Sequence, residues 1–312
     1  MKIPQSGAMT RRQFLEASAA TALLGSLAPA INRAAEPGVI RKTIPSSGER
    51  LAVIGLGTSR TFDIAPGDAA DSPLVEVMRA FFDRGGQLID SSPMYGNAEA
   101  VTGVLLNKVS DTRGLFTATK VWTNGKDSGI RQMQDSMRHF GVERIDLMQI
   151  HNLRDWRTHI ETLAEWKADG RIRYIGITTS HGRYHDELEL LLQELPLDFV
   201  QFSYNIGNRD VEQDLLPLAA ERGIATLINR PYQRGSLFRV VRGKPLPDWA
   251  REIDCTSWGQ FFLKFIAAHP AVTCIIPATT KVKHMIDNMG AGFGRLPDEA
   301  MRRRMIAYLE SI

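Results

Sequence analysis

The sequence predicts an α/β fold, a single-domain (β/α)8 barrel. Three observations lead there. Eight short apolar runs of strand length alternate with eight longer amphipathic stretches, the pattern of βα repetition around a parallel sheet. The short runs are continuously apolar rather than alternating, as strands covered on both faces must be. A length of 312 residues suits one barrel of roughly 250 residues with an extension. The composition, 43% hydrophobic and 23% charged, is globular and excludes disordered and collagen-like chains. Two cysteines, Cys255 and Cys274, cannot build a disulfide framework.

In order, the expected strands are Leu51–Gly55, Gln87–Asp90, Leu115–Lys120, Ile145–His151, Ile172–Ile177, Asp198–Ser203, Ile224–Asn229 and Val272–Ile276. Helices are expected over 74–84, 98–108, 128–140, 158–168, 184–194, 211–222, 257–268 and 281–290. Gly85-Gly86, Gly141, Gly170 and Gly223 stand where helices end, as C-terminal caps do. An open dinucleotide-binding sheet would carry G-x-G-x-x-G after its first strand. Gly55-Leu56-Gly57-Thr58-Ser59-Arg60 has two of those glycines, no immediate helix and no acid about 20 residues on, which favours the barrel. A loop from Pro231 to Thr256 and a terminal helix from Pro297 to Ser311 fall outside the repeat.

The N-terminus reads differently. Thr10-Arg11-Arg12-Gln13-Phe14-Leu15 precedes an Ala-rich apolar stretch from Ala17 to Ala30, ending in the small-x-small triplet Ala28-Pro29-Ala30. Basic, apolar and small residues in that order form a secretory signal, and the paired arginines before Phe-Leu resemble a bacterial twin-arginine (Tat) export signal. The expected organisation is therefore a signal peptide over 1–30, a linker over 31–43 and the barrel over 44–312. That resemblance implies the twin-arginine translocation machinery as a partner and a periplasmic or otherwise exported location, or a cytoplasmic one if the signal is not functional. Deleting Met1–Ala30 removes Lys2, Arg11, Arg12 and Glu16, and with them most of the net charge of +3. With so little charge and no long basic run, a nucleic-acid partner has no electrostatic support. No apolar stretch in the body reaches the ~20 residues that cross a bilayer.

Barrel active sites lie at the carboxyl ends of the strands, so polar residues ending apolar runs are the candidates. Asp90 ends the second run, with Tyr95 five residues on in Asp90-Ser91-Ser92-Pro93-Met94-Tyr95-Gly96; Lys120 ends the third and His151 the fourth. A phenol with a pKa near 10 is a weak acid at neutral pH. An adjacent ammonium would lower that value, a carboxylate would hold the ammonium charged and aimed, and an imidazole could help stabilise a developing alkoxide. Trp122, Trp156 and Tyr204 follow strands and are expected near the mouth or in the core. His181 and His185 have i,i+4 spacing but no further ligand nearby, so no metal site is expected. Neither a G-x-S-x-G elbow nor H-E-x-x-H is present.

These residues resemble the aldo-keto reductase family from about Ile44 to Met289, whose TIM barrel carries an Asp-Tyr-Lys-His tetrad matching Asp90, Tyr95, Lys120 and His151. The resemblance implies reduction of an aldehyde or ketone to an alcohol by hydride from a nicotinamide, with Tyr95 as general acid. It also implies a cofactor site. Gly57 and Thr58 follow the first strand. Thr178 and Thr179 occupy the family's Ser-Asn carboxamide position, and Gln201 its Gln. Asn229, Arg230, Pro231, Gly235 and Ser236 form the pyrophosphate loop, Arg230 replacing the usual Ser. Thr279 and His284 fall toward the 2′-phosphate, with Lys281 or Lys283 as a compensating charge there, and Asp287 and Asn288 toward adenine. NADPH is the expected cofactor, with NADH as the alternative, and a small carbonyl compound the expected substrate. Because free NADPH is not expected outside the cytoplasm, the rival reading is an exported nucleotide-binding or sensor protein with little turnover.

Overall fold

The computed structural model describes residues 38–312. The expected signal peptide and residues 31–37 of the expected linker lie outside them. Strand β1, Arg41–Thr43, pairs antiparallel with β2, Arg50–Ala52. The folded body therefore starts before Ile44, and Arg41–Thr43, placed in the linker from sequence, is part of a hairpin. The first expected barrel strand is displaced for the same reason. Leu51 and Ala52 pair with β1, and the barrel strand proper is β3, Leu56–Gly57, with Ile54 bridging to Ile275. One uninterrupted apolar run serves both hairpin and barrel, so apolarity could not mark the division.

Eight strands form one parallel sheet in chain order: β3; β4, Leu88–Asp90; β5, Phe116–Val121; β6, Ile145–His151; β7, Ile172–Thr178; β8, Phe199–Ser203; β9, Ala225–Asn229; and β10, Cys274–Ile275. The sheet closes on itself. The N–H of Gly55 donates to Ile275 O at 2.8 Å, that of Gly57 to Pro277 O at 3.0 Å, and that of Ile275 to Val53 O at 2.9 Å. The seam explains its glycines. A Cβ on Gly57 would lie 2.8 Å from Ile276 O, and one on Gly55 2.9 Å from Leu88 O.

Helices follow the strands: α1, Pro66–Ala69; α2, Leu74–Asp83; α3, Ala98–Leu106; α4, Lys126–Phe140; α5, Trp156–Ala168; α6, His185–Glu194; α7, Leu215–Glu221; α8, Ser236–Val240; α9, Trp258–Ala267; α10, Val282–Gly290; and α11, Glu299–Glu310. In α2, buried Leu74, Val77, Met78 and Phe81 recur at helical spacing and form the stripe that packs on the barrel wall. Gly141, at φ +71°, ends α4 with its N–H on the carbonyls of Met137 and Arg138, a left-handed cap that a side chain would strain. The stretch 211–222, expected as one helix, is a 3-10 turn over Asp210–Glu212 and then α7, parted at Asp214, whose carboxylate accepts from Leu215 N.

Strand parity sorts the interior. Leu88, Phe116, Leu147, Tyr174, Phe199, Ala225, Leu227 and Cys274 pack with Ile44 and Leu51 of the hairpin into one apolar cluster inside the barrel. Moving two residues at a time toward the carboxyl ends leads from these to Asp90, Lys120, Gln149, His151, Thr178, Gln201 and Asn229. The floor of the barrel is thus dry and its mouth polar. Among the described residues no helix is long and apolar enough to cross a membrane.

Candidate active site

Parallel pairing sets Asp90 on β4 beside Ala118 on β5, and Lys120 beside Gln149 on β6. From those positions the Lys120 ammonium, fully buried, donates to Asp90 Oδ2 and to the Ser91 carbonyl, each at 2.6 Å. Asp90 Oδ1 accepts from Gln149 Nε2 and Gln201 Nε2, both at 3.0 Å. Three donors on one buried carboxylate, with the Ser91 carbonyl as a second acceptor for the ammonium, fix the pair in place. Burial is the largest influence on Lys120 and pushes its pKa down, but the Asp90 and Tyr95 charges outweigh it and the net direction is upward. Lys120 is therefore a cation at neutral pH.

Tyr95 ends a 3-10 turn over Pro93–Tyr95, capped by Ser92, which accepts from Met94 N. The turn brings the Tyr95 ring centroid to 5.0 Å from Lys120 Nζ and sets it edge-on to the His151 imidazole, centroids 5.6 Å apart and planes at 88°. All four tetrad positions, from three consecutive strands and the loop after the first, converge on one mouth. The expected lowering of the phenol pKa is not found. Burial is the largest influence and pushes Tyr95 above 10, while Lys120 pulls down without cancelling it.

His151 is buried, and burial, with the Lys120 charge second, holds its pKa down at about 2. The ring is therefore neutral. Its Nδ1 lies 2.8 Å from Ser92 Oγ. That oxygen accepts from Met94 N at 3.1 Å; its own hydrogen, donated to Nδ1, would leave the proton of the neutral ring on Nε2. Sequence reasoning missed Ser92 and Gln149. Both had a signal: Gln149 is a polar residue inside an apolar run, two before His151 and on the same strand face, and Ser92 lies between two singled-out residues. Gly176 of β7 makes room for Gln149, since a Cβ there would sit 3.0 Å from Gln149 Cγ.

A cleft of about 750 Å³ opens above these groups, lined by Asp90, Tyr95 and His151. Of the expected cofactor residues it takes in Gly57, Thr58, Thr178, Thr179, Gln201, Asn229, Arg230, Pro231 and Gly235. Asn229 donates to Thr179 O at 3.0 Å and Gln201 Oε1 at 3.3 Å, and accepts from Ser203 Oγ at 2.6 Å, tying β7, β8 and β9 together below the opening. Thr179 Oγ1 is buried with no hydrogen-bond partner, a cost unless a ligand supplies one.

The other expected cofactor positions lie off this lining. Ser236 donates to Gln233 O at 2.9 Å, closing its own turn. Thr279 Oγ1 accepts from Lys281 N at 3.1 Å at the start of α10, where Lys281, Lys283 and His284 are exposed. Asp287 accepts from Ser257 and Gln260, and Asn288 from the Tyr232 hydroxyl. Tyr232 itself lines the cleft, so Asn288 meets the site through it. Tyr204 belongs to the core rather than the mouth, its hydroxyl against Glu212 and Arg302. Trp156 bonds Glu187 at the rim, and Trp122 lies 6.5 Å from the His151 ring. Among the described residues no group of three His, Cys, Asp or Glu side chains is arranged to hold a metal.

Comparison with known proteins converges on one family. The family model described as "Aldo/keto reductase family" matches residues 53–307. The aldo-keto reductase YhdN of Bacillus subtilis is 27% identical over 228 residues, 68% of this chain and 66% of that protein. An uncharacterized oxidoreductase of Schizosaccharomyces pombe is 28% identical over 229 residues, 69% and 72% of the two chains. Among solved structures, an aldo-keto reductase of Klebsiella pneumoniae in complex with NADPH is similar with a TM-score of 0.71 at 22% identity, covering 88% of this chain and 95% of that one. The holo form of a Bacillus halodurans aldo-keto reductase is similar at 0.70 and 21%, covering 87% and 96%. With the matched residues running from before the first barrel strand into the last helix, this chain belongs to the aldo/keto reductase family.

Proposed function

We propose that the protein is an NADPH-dependent oxidoreductase that reduces an aldehyde or ketone to an alcohol, with Tyr95 as the proton donor. The observation that carries this reading is the Tyr95 phenol held beside a locked, buried Lys120–Asp90 pair at the mouth of the cleft. The residues present fit a nicotinamide dinucleotide. The orphaned Thr179 hydroxyl offers a partner to the carboxamide, and Arg230, Arg234 and the Gly235 turn offer one to the pyrophosphate. Lys281 and Lys283, exposed on the first turn of α10, suit an added 2′-phosphate, which favours NADPH over NADH. When bound, the reduced nicotinamide supplies hydride to the carbonyl carbon.

The chain's own residues manage the oxygen. His151 Nε2–H and the Tyr95 hydroxyl both donate to the carbonyl oxygen, orienting it and drawing off charge. Burial keeps the Tyr95 proton on the phenol until the oxygen becomes basic enough to take it. As the proton leaves, the emerging phenolate meets the Lys120 ammonium. That attraction hardly exists while the phenol is neutral, so it favours the transition state over the ground state. The test is NADPH consumption with a simple aldehyde, compared with Tyr95→Phe, which should still bind NADPH. Near-native turnover by that variant refutes the role of Tyr95. Bound nucleotide with no turnover by the wild type, on any aldehyde offered, favours the sensor reading instead.

Export through the twin-arginine route, to a periplasmic or other exported location, is part of the proposal. Arg11-Arg12 and the apolar stretch behind them support it. Arg11→Lys/Arg12→Lys should retain the protein in the cytoplasm, as read by fractionation, and unchanged export would sink it.

A further inference from the structure

Four arginines stand over the cleft, and their positions on the barrel are informative. Arg60 comes from the loop after β3, Arg183 from the loop after β7, and Arg230 and Arg234 from the loop after β9. In an eight-stranded barrel β3 and β7 lie across the diameter from one another, with β9 midway between them on one side. The guanidiniums thus form an arc around half the mouth. The tetrad occupies the other half, on β4, β5 and β6. Among the described residues none of the four arginines makes an ion pair with an acidic side chain, although nine arginines elsewhere do.

The charges are close enough to repel. Arg230 is pulled down to about 10, first by burial and then by Arg234, Arg60 and Arg183, and His181 on the same rim is lowered by burial and three of the same arginines. The backbone pays as well. Arg60, Arg230 and Arg234 sit at φ +63°, +54° and +54°, left-handed conformations that cost a residue with a Cβ roughly 1 kcal/mol each. Unpaired like charges on strained backbone are kept where a ligand compensates them.

A dinucleotide pyrophosphate carries two negative charges, which Arg230 and Arg234 on the expected pyrophosphate loop match. Arg60 and Arg183 remain, one at each end of the arc. Met94, after β4, and Phe238, after β9, are exposed and line the same cleft. We propose that the substrate is an anionic carbonyl compound, an aldehyde or ketone on an apolar body that also carries a carboxylate or phosphate, with Arg60 or Arg183, at one end of the arc, holding the anionic group. This deepens the reading above and rests on it for the position of the reacting carbonyl.

The test uses protein saturated with NADP+, so that the pyrophosphate charges are already in place. 4-Carboxybenzaldehyde and its neutral methyl ester are titrated calorimetrically, and both are assayed for turnover with NADPH. 4-Formylphenyl phosphate is run beside them to separate carboxylate from phosphate as the anion. At least one anionic aldehyde should bind about tenfold more tightly than the ester, a ratio typical of one good charge contact. The advantage should shrink with added salt and fall toward one in Arg60→Gln or in Arg183→Gln, whichever end holds the anion. Equal binding of all three aldehydes overturns the proposal. So does a preference that survives both substitutions, or variants that weaken NADPH about tenfold while leaving the anionic preference intact, since the arginines would then belong to the dinucleotide. Because binding is read apart from turnover, loss of turnover on every aldehyde refutes the reductase reading without obscuring this result.

Discussion

Replacing Lys120 by Met and Asp90 by Asn, singly and together, tests the buried pair at the root of the site. Lys120 is 0% exposed and Asp90 2%, so neither charge reaches water once its partner is gone. Removing one member of such a pair costs about 3–5 kcal/mol, because the survivor is left uncompensated. Lys120→Met strands a carboxylate held by two amides, and Asp90→Asn strands an ammonium held by one carbonyl. The double variant removes both charges and keeps an acceptor for Gln149 and Gln201. Its remaining defects are an orphaned amide donor and the Ser91 carbonyl that has lost the ammonium, about 1–3 kcal/mol each. Urea unfolding of the three variants, followed by far-UV circular dichroism, should therefore give a double variant destabilised by clearly less than the sum of the two single effects, yet none should reduce an aldehyde. A double variant destabilised by the sum of the two single effects would refute the reasoning, since a pair without coupling is not a buried ion pair.

Three more outcomes follow from the same geometry. Tyr95→Phe should lose about 10²–10⁴ in kcat, the usual weight of general acid catalysis, with fluorescence-titrated NADPH affinity and thermal midpoint close to wild type. Ser92→Ala removes the bond that sets the His151 tautomer and should lower kcat about fivefold, the net worth of one hydrogen bond, with a smaller change in KM; Ser92→Thr should restore it. His151 stays neutral in the fold down to about pH 2, whereas an unfolded imidazole takes up its proton near 6.5. The unfolded chain thus binds more protons in acid, so stability is intact above pH 6.5 and falls below it by about 1.4 kcal/mol per unit. Unfolding midpoints at pH 7 and 5 should show that loss, and His151→Gln should reduce it by about 2 kcal/mol.

The barrel was legible because its strands are buried on both faces, which turns them into apolar runs that amphipathic helices separate. Asp90, Lys120 and His151 were legible because each ends such a run. What escaped was decided by pairing rather than pattern. Leu51 and Leu56 belong to one apolar run, yet one lies in the floor hairpin and the other in the barrel wall. Gly57 was expected beside the cofactor and does line the cleft, but the Ile276 carbonyl that excludes a side chain there shows only once the seam is closed. Gln149 was hidden among apolar neighbours, and only the register that sets it against Lys120 and Gly176 reveals its use. The arginine arc was illegible for the same reason, since Arg60, Arg183 and Arg230 are far apart in sequence and meet only when the barrel closes.

The net upward shift of Tyr95 bears on how the proposed mechanism works. A permanently acidic phenol would be a phenolate part of the time and would have no proton to give. Burial avoids that by penalising the charged form, while Lys120, charged and immobilised by Asp90 from below, waits for the charge to appear. The apolar floor of Phe116, Leu147, Tyr174 and Phe199 serves the same end, since it keeps water from screening the ammonium from beneath. The ion pair and the dry floor under it then act as one device, whose effect is greatest when the proton is in flight.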